Sequence, residues 1–323
     1  LPLKAAAKKL DVMAAGDLFV DIIMSGFSFW PQPGQEAVAE NFCREIGGGA
    51  AITACGLAKL GLRVGVLGVV GSDIGSWVVD GLRECGVDAS GICCDFHRPT
   101  AFTVAISSPE DRAFFTYLGA NAKFPELLIE AAARRLLSQA RHVHLACAPD
   151  LDAAPELFQV LRANDCRLSL DVGWHESWLS DPRAMALVRE LDIFFPNERE
   201  AACMTGKTDP AAMLAAYADS GARAVALKLG ARGAGLLWQG RITFADPYPV
   251  EPVDTTGAGD SFDAGFLYGL LQGEDPETCL RIANICGALS TEALGGISSF
   301  PSLEKLQEAG AKTNLRTELW LEK

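Results

Sequence analysis

The chain has 323 residues, 49% of them apolar and 21% charged. That is enough to bury a substantial core in one large domain or two, and it is far from the make-up of disordered or disulfide-stapled chains. Acidic residues outnumber basic ones by 41 to 28, a net charge of −13, so the overall field repels nucleic-acid phosphates and anionic lipid. An anionic ligand therefore needs a local cluster of amides, a lysine or a metal ion, whereas a cationic cofactor is easier to accommodate.

The opening Leu1-Pro2-Leu3-Lys4 lacks the apolar core of a secretory signal, and no apolar stretch of about 18 residues follows. A soluble, cytoplasmic protein without membrane or nucleic-acid partners is expected. Short apolar runs bounded by Gly, Asp or Pro then alternate with helix-length segments. Buried strands are predicted over Leu10–Ala15, Arg63–Val70, His142–Ala146, Arg167–Val172, Asp192–Phe195 and Ala222–Leu229. Helical spacing marks Gly49–Leu60, Gly75–Cys85, Phe124–Gln139, Ala153–Asn164, Pro182–Arg189, Gly257–Gln272, Pro276–Leu294 and Leu303–Gly310. This β-α-β alternation predicts a parallel sheet with helices on both faces and ligands at the carboxyl ends of the strands.

Two stretches, about 19–46 and 87–118, break the rhythm. The first holds Trp30-Pro31-Gln32-Pro33-Gly34; the second holds strand-like pieces, Ala101–Ile106 and Ala113–Leu118, around the turn Ser108-Pro109-Glu110-Asp111. Strands without crossover helices predict antiparallel pairing outside the main sheet, either a small β lid or a pair of edge hairpins. No repeat or linker divides the chain, so residues 1–323 are read as one domain. The ten cysteines show no C-x-x-C spacing and read as reduced core residues. His142 and His144 share one face of a predicted strand, which suits a hydrogen-bonded pair near the core better than a zinc site.

The most informative segment is Asp254-Thr255-Thr256-Gly257-Ala258-Gly259-Asp260-Ser261-Phe262, leading into a helix with Phe262, Phe266 and Leu270 on one face. Small residues before a helix leave its first amides open to a phosphate, and the helix dipole adds positive character there. Asp260 then stands beside the anion, where it can take a proton from an attacking hydroxyl. By themselves Asp254 and Asp260 equally suit helix capping. A Walker A motif is absent, and Gly68-Val69-Val70-Gly71 and Gly230-Ala231-Arg232-Gly233 lack the dinucleotide-binding spacing.

The segment Asp254–Phe262 resembles the signature of the ribokinase (PfkB) family of carbohydrate kinases, and the likeness continues in order along the chain. Gly47-Gly48-Gly49 leading to Ala58-Lys59-Leu60-Gly61 resembles the family's amino-terminal glycine motif, and Gly68 to Gly75 the segment after it. Pro196-Asn197-Glu198-Arg199-Glu200 matches N-x-x-E, and Lys228 to Gly233 the nucleotide-side loop. The resemblance implies a three-layer α-β-α sandwich with a mostly parallel sheet and a small β lid. It implies transfer of the γ-phosphoryl of ATP to a hydroxymethyl group of a sugar or sugar-like substrate.

On matching positions it makes Asp260 the base and the amides of Gly257, Ala258, Gly259 and Asp260 the anion hole. It puts Asn197 and Glu200 near Mg²⁺ through water, although both also suit helix capping. Lys228, Gly230 and Gly233 would line the nucleotide, with Ala283, Asn284 and Gly287 closing the adenine slot. Lys228 at a strand end can instead simply reach solvent. Asp254 and Thr256, with Ser290, Gly295 and Ser299, correspond to a loop that holds a monovalent cation, K⁺, in many members.

At the sugar end, Asp21 matches the aspartate that accepts substrate hydroxyls, and Asp17 either shares that task or serves a turn. Gly48 and Gly49 would admit the substrate to the backbone. Ile52 stands where the family usually has an asparagine, so an amide that grips hydroxyls is replaced by a side chain that cannot. Thr53, Asn41 and Asn121 are candidates to replace it. Phe102, Phe114 and Tyr117 either cover the sugar or form the lid's own core. The resemblance also implies a homodimer through the lid. A nucleoside kinase and a sugar-binding regulatory protein that has lost turnover are the rival readings.

Overall fold

The computed structural model describes residues 8–107, 112–313 and 315. The opening tetrapeptide and the turn Ser108-Pro109-Glu110-Asp111 lie outside the described residues. In chain order the elements run β1 (Leu10–Gly16), β2 (Phe19–Ser25), β3 (Asn41–Gly47), α1 (Gly49–Lys59), β4 (Val64–Gly71), α2 (Gly75–Glu84), β5 (Asp88–Asp95), β6 (Phe102–Ser107) and β7 (Arg112–Tyr117). There follow α3 (Phe124–Ala133), β8 (Ala140–Ala146), α4 (Ala154–Ala163), β9 (Arg167–Asp171), α5 (Glu176–Leu179), α6 (Pro182–Val188), β10 (Ile193–Phe194), α7 (Glu198–Thr205) and α8 (Pro210–Ser220). The last third adds β11 (Ala224–Lys228), β12 (Ala234–Trp238), β13 (Arg241–Ala245), α9 (Ala258–Gln272), α10 (Pro276–Leu289) and α11 (Leu303–Lys312).

Nine strands form the main sheet in the order β13-β12-β11-β10-β9-β8-β1-β4-β5. Pairing is parallel from β5 to β11 and antiparallel across β12 and β13. The near-continuous apolar runs follow from this: β4 reads Val-Gly-Val-Leu-Gly-Val-Val-Gly and is buried along its whole length, because parallel strands here are covered on both faces. Alternate residues enter opposite cores. Val12 and Ala14 join one with α1, α2, α9, α10 and α11, while Met13 and Ala15 join the other with α3 to α8. The result is a three-layer α-β-α sandwich.

Chain order reverses at β1, which has the early strand β4 on one side and the later β8 on the other. This switch point is where α/β sheets open a crevice at their carboxyl ends. A second sheet, β3-β2-β6-β7, forms the lid. The expected lid segment 87–118 needs correction, since residues 88–95 form β5, the edge of the main sheet. Its polar sequence, Asp-Ala-Ser-Gly-Ile-Cys-Cys-Asp, buries only Ala89 and Asp95, so it carries no apolar run to mark it. The lid hairpins are antiparallel as expected, but β2 and β6 join them in parallel. The cysteines also differ from expectation. All ten are free, but only Cys55, Cys166, Cys279 and Cys286 are buried, and Cys93 and Cys94 are exposed on the edge strand.

The histidines behave as the sequence suggests. His142 Nε2 and His144 Nδ1 both meet Ser169 Oγ, at 2.7 and 2.9 Å. Burial pushes their pKa values down to about 3 and 4, so both rings are neutral. One hydroxyl thus partners one nitrogen of each imidazole in a dry layer, while among the described residues His142 Nδ1 and His144 Nε2 have no partner. Ser169→Ala should destabilise the fold by about 1–3 kcal/mol in urea titrations, since it strands two buried ring nitrogens. A loss below about 0.5 kcal/mol would show that the hydroxyl is not what satisfies them.

Candidate active site

Helix α9 starts at the crevice. Gly257 caps it in the left-handed region, at φ 72°, and a Cβ there would lie 2.9 Å from both Gly296 Cα and Ile52 Cδ1. Intrahelical bonding begins with Ser261 N–H on Gly257 O, 2.9 Å, which leaves the amides of Gly259 and Asp260 without an intrahelical carbonyl. Ile52 is 3% exposed and packs its tip under this turn. The aliphatic side chain at the substrate-side position where the family usually has an asparagine is thus a buttress for the glycine turn.

Asp260 keeps partial exposure to the crevice and faces the start of α1. A Cβ on Gly49 would stand 2.9 Å from Asp260 Oδ1 and 3.1 Å from Ala146 Cβ. The neighbouring glycines are equally tight. Gly48, at φ 95°, would place a Cβ 2.2 Å from Asp17 O, and Gly47 would place one 2.0 Å from Asp21 Oδ2. These glycines therefore bring the carboxylates of Asp21 and Asp260, and the main-chain carbonyl of Asp17, against bare backbone. Burial raises Asp17 to about 6 and Asp21 to about 7, the latter helped by Glu45 and Asp254. Asp260 is pushed up to about 7, first by burial and then by Asp171, against the pull of Lys228.

Asn121 lies near this wall but is already engaged. Its Nδ2 donates to Leu18 O at 3.1 Å and its Oδ1 accepts from Leu18 N at 3.3 Å, so it clips the bend between Asp17 and β2 instead of offering an amide to substrate. Thr53 Oγ1 donates to Asp260 O, 3.2 Å, and Asn41 sits at the opposite end of β3 from Gly47.

Asn197 and Glu200 form a capping box on α7. Asn197 Oδ1 accepts from Glu200 N at 2.9 Å, Asn197 N donates to Glu200 Oε2 at 2.8 Å, and Asn197 Nδ2 donates to Glu200 Oε1. The capping anticipated as an alternative is present, and it fixes a buried carboxylate at the carboxyl end of β10. The pair adjoins Lys228 through the backbone bond from Lys228 N to Pro196 O, 2.9 Å. Burial first, then Asp171, raises Glu200 to about 7.

A cavity of about 360 Å³ runs from this point between the Lys228–Gly233 loop and α10. Gly230, Gly233, Asn284 and Gly287 line it, as does Lys228. Ala283 does not: it is 0% exposed, because Gly265 lets α9 and α10 approach until a Cβ would meet Ala283 Cα at 3.0 Å. Asn284 Nδ2 is engaged with Asp246 O, 2.9 Å. The far wall, Pro247 to Val250 with Pro252, escaped the sequence reading. Its signal is a proline-rich run directly before the glycine turn.

The loop proposed for a monovalent cation is assembled only in part. Asp254 Oδ1 accepts from Thr256 N and Oγ1 at 3.0 and 2.8 Å, and Oδ2 from Gly295 N at 3.0 Å. Ser299 Oγ donates to Gly295 O. Ser290 Oγ donates to Gly287 O at 2.9 Å, and the carbonyl of the next residue, Thr291, accepts from Asp254 N at 3.0 Å.

A slot of nucleotide size, open helix amides at its inner end and a carboxylate beside them define a small-molecule kinase. Residues 9–303 match the pfkB family of carbohydrate kinases, and the chain belongs to that family. Among its relatives, the 2-dehydro-3-deoxygluconokinase of Bacillus subtilis is 31% identical over 279 residues, covering 82% of this chain and 86% of that one. The ribokinase of Haemophilus influenzae is 25% identical over 300 residues, covering 91% and 96%. The structure of Arabidopsis thaliana ribokinase complexed with ribose and ATP superposes with a TM-score of 0.78 at 25% identity, over 93% of this chain and 98% of that one. Among the described residues no helix is long and apolar enough to cross a membrane.

The contact between α1 and α9 yields a test. Gly49→Ala should push the Asp260 carboxyl aside and lower turnover by about tenfold or more, while the melting temperature moves by only a few degrees. Unchanged turnover would show that this close approach is not needed.

Proposed function

We propose that this chain transfers the γ-phosphoryl group of ATP to a hydroxymethyl oxygen of a neutral, polyhydroxylated, sugar-like acceptor, with Asp260 as general base. The observation that carries this reading is the position of Asp260, in the first turn of a helix with open amides and facing the glycine wall that holds Asp17 and Asp21. In the step, the acceptor oxygen forms a bond to the γ-phosphorus as the bond to the bridging oxygen breaks. The acceptor's proton passes to Asp260, and ADP leaves. The amides of Gly259 and Asp260 stabilise charge on the transferring group.

Asp21 and Asp17 supply acceptor oxygens for substrate hydroxyls. The charged groups acting on Asp21 are Glu45 and Asp254, an acidic surround that favours an uncharged acceptor over a sugar acid. Glu200 and Asn197 offer only oxygen and amide groups already fixed by the capping box, which suits Mg²⁺ held largely through its own waters. Bound there, Mg²⁺ would offset the negative charge of the phosphates. Asp254, Thr256, Gly295 and Ser299 support a K⁺ site in the adjoining loop, with the Ser290 hydroxyl engaged by Gly287 O.

Phe114 and Phe115 on β7 are 56% and 58% exposed, and as neighbours on a strand they point to opposite faces. One face is free to meet a second lid, which supports a homodimer. Light scattering should read twice the chain mass; a monomer at micromolar concentration would remove that part of the reading.

ADP release across neutral sugars, sugar acids and nucleosides should be greatest with a neutral polyol. Silence across the panel despite ATP binding would sink the kinase reading. Asp260→Asn should lower kcat by about 10²–10⁴ with the fold intact. The base works only when ionised, and Asp171, Lys228, Asp21, Glu200 and Asp263 face it. With Asp260 and Asp21 both raised to about 7, kcat/KM should fall about tenfold or more steeply per pH unit below that point and level off above it. A profile flat from pH 5 to 8 would exclude Asp260 as the base.

A further inference from the structure

Lys228 ends β11 with its side chain only 12% exposed. Its Nζ donates to Asp171 Oδ2 at 2.6 Å and to Asp263 Oδ1 at 3.3 Å. An ammonium has three hydrogens, and among the described residues the third has no acceptor. That third hydrogen belongs to a group lining the nucleotide-sized cavity. A Cβ on Gly259 would stand 3.5 Å from Nζ, so the charge lies directly against the turn whose amides are open. Carboxylate oxygens of Asp171, Asp260 and Asp263 all fall within 4.8 Å of one another, and Lys228 stands among them as a built-in cation.

We propose that Lys228 contacts the phosphate chain of the nucleotide, and that Asp171 and Asp263 are positioning residues that aim it, with Asp263 acting as a neutral hydrogen-bond donor to Asp171. The nucleotide end of this proposal rests on the kinase reading above. The triad itself rests on the contacts. Asp171 Oδ1 is fixed by Gly173 N at 2.9 Å, so its other oxygen is presented to the lysine in one direction. Asp263 is 0% exposed, and its Oδ2 has no donor to satisfy it. Beside Asp171 and in a dry layer, a second ionised carboxylate would have to share the single charge of Lys228 with Asp171. Burial raises the Asp263 pKa well above the ordinary range against the pull of Lys228, with Asp171 adding to the rise. A proton on Oδ2 resolves both problems, since it gives that oxygen a partner and Asp171 a donor. Asp260 and Asp263 are three residues apart on α9 and share a face, so the helix that carries the base also carries part of the lysine's support.

Binding measurements test this without knowing the acceptor. By calorimetry with AMP-PNP and Mg²⁺, and separately with AMP, Lys228→Met should weaken AMP-PNP by about tenfold or more while AMP stays within about threefold. Asp171→Asn should do the same, and the double variant Asp171→Asn/Lys228→Met should be no worse than Lys228→Met alone. Asp263→Asn keeps a donor toward Asp171 and an acceptor toward Lys228, so it should bind AMP-PNP within about threefold of the parent, whereas Asp263→Leu should lose about tenfold.

Circular dichroism and melting curves on each variant establish that the fold persists. If Lys228→Met binds AMP-PNP like the parent, the lysine is a structural ion pair only and the proposal fails. If Asp263→Asn is as damaging as Asp263→Leu, the negative charge and not the donor is needed, and the shared proton is wrong. Tight AMP-PNP binding that depends on Lys228, together with no turnover on any acceptor, would defeat the kinase reading and leave the triad standing.

Discussion

The site depends on backbone meeting carboxylate without a Cβ between them. Gly47, Gly48 and Gly49 form the turn from β3 into α1, and each would collide with Asp21, Asp17 or Asp260 if it carried a side chain. The carboxylates of Asp21 and Asp260 thereby come against bare backbone at the switch point of the sheet, while Gly48 meets the backbone carbonyl of Asp17. Crowding the two carboxylates out of water makes each a better proton acceptor than a surface aspartate, because burial disfavours the charged form. On the proposed reading, the base strength asked of Asp260 is thus a by-product of close packing between α1 and α9.

The same crowding creates an electrostatic difficulty. The chain carries a net charge of −13, and its crevice gathers Asp17, Asp21, Asp171, Glu200, Asp260 and Asp263. A polyphosphate entering such a field needs local positive character. The open amides of α9 provide part of it and Lys228 another part, held in a layer dry enough for one charge to count. Its partner Asp171 lies on the sheet face that also carries the His142, Ser169 and His144 cluster, so a polar seam runs through this core from a neutral end to a charged end at the cavity.

Much of this was legible in the sequence where one residue type has one physical use. Parallel strands buried on both faces read as unbroken apolar runs, and the small residues before α9 announced open amides. Strand β5 stayed hidden because an edge strand exposed along much of its length has no such run. The β12 and β13 hairpin, turned by Gln239 at φ 49° and Gly240 at φ 84°, extends the sheet without a helix and so broke the expected alternation. Side-chain roles were harder still. Ile52 and Ala283 sit at positions the resemblance assigns to ligands, and Asn121 is a candidate to replace the amide missing at 52, yet all three serve packing or clip backbone, which only three-dimensional neighbours reveal. Asp171 and Asp263 gave no local signal, since their meaning comes from a lysine on another strand.

The lid is continuous with the catalytic wall. Strand β2 begins just after Asp17 and carries Asp21, and β3 ends in Gly47, so the flap's two inner strands carry the residues proposed to hold the acceptor. Glu45 on β3 also reaches across to the loop beyond α10, where Ser298 Oγ donates to its Oε1 at 2.6 Å. That loop contains Gly295, which is bonded to Asp254 just before the glycine turn. A rigid shift of β3 therefore cannot leave Asp21 and the α9 turn undisturbed, because both ends of the strand's contacts terminate at the site. On the proposed kinase reading this connection has a chemical use, since a lid that excludes water from the phosphoryl group is tied to the strand that carries Asp21 and to the turn that carries Asp260.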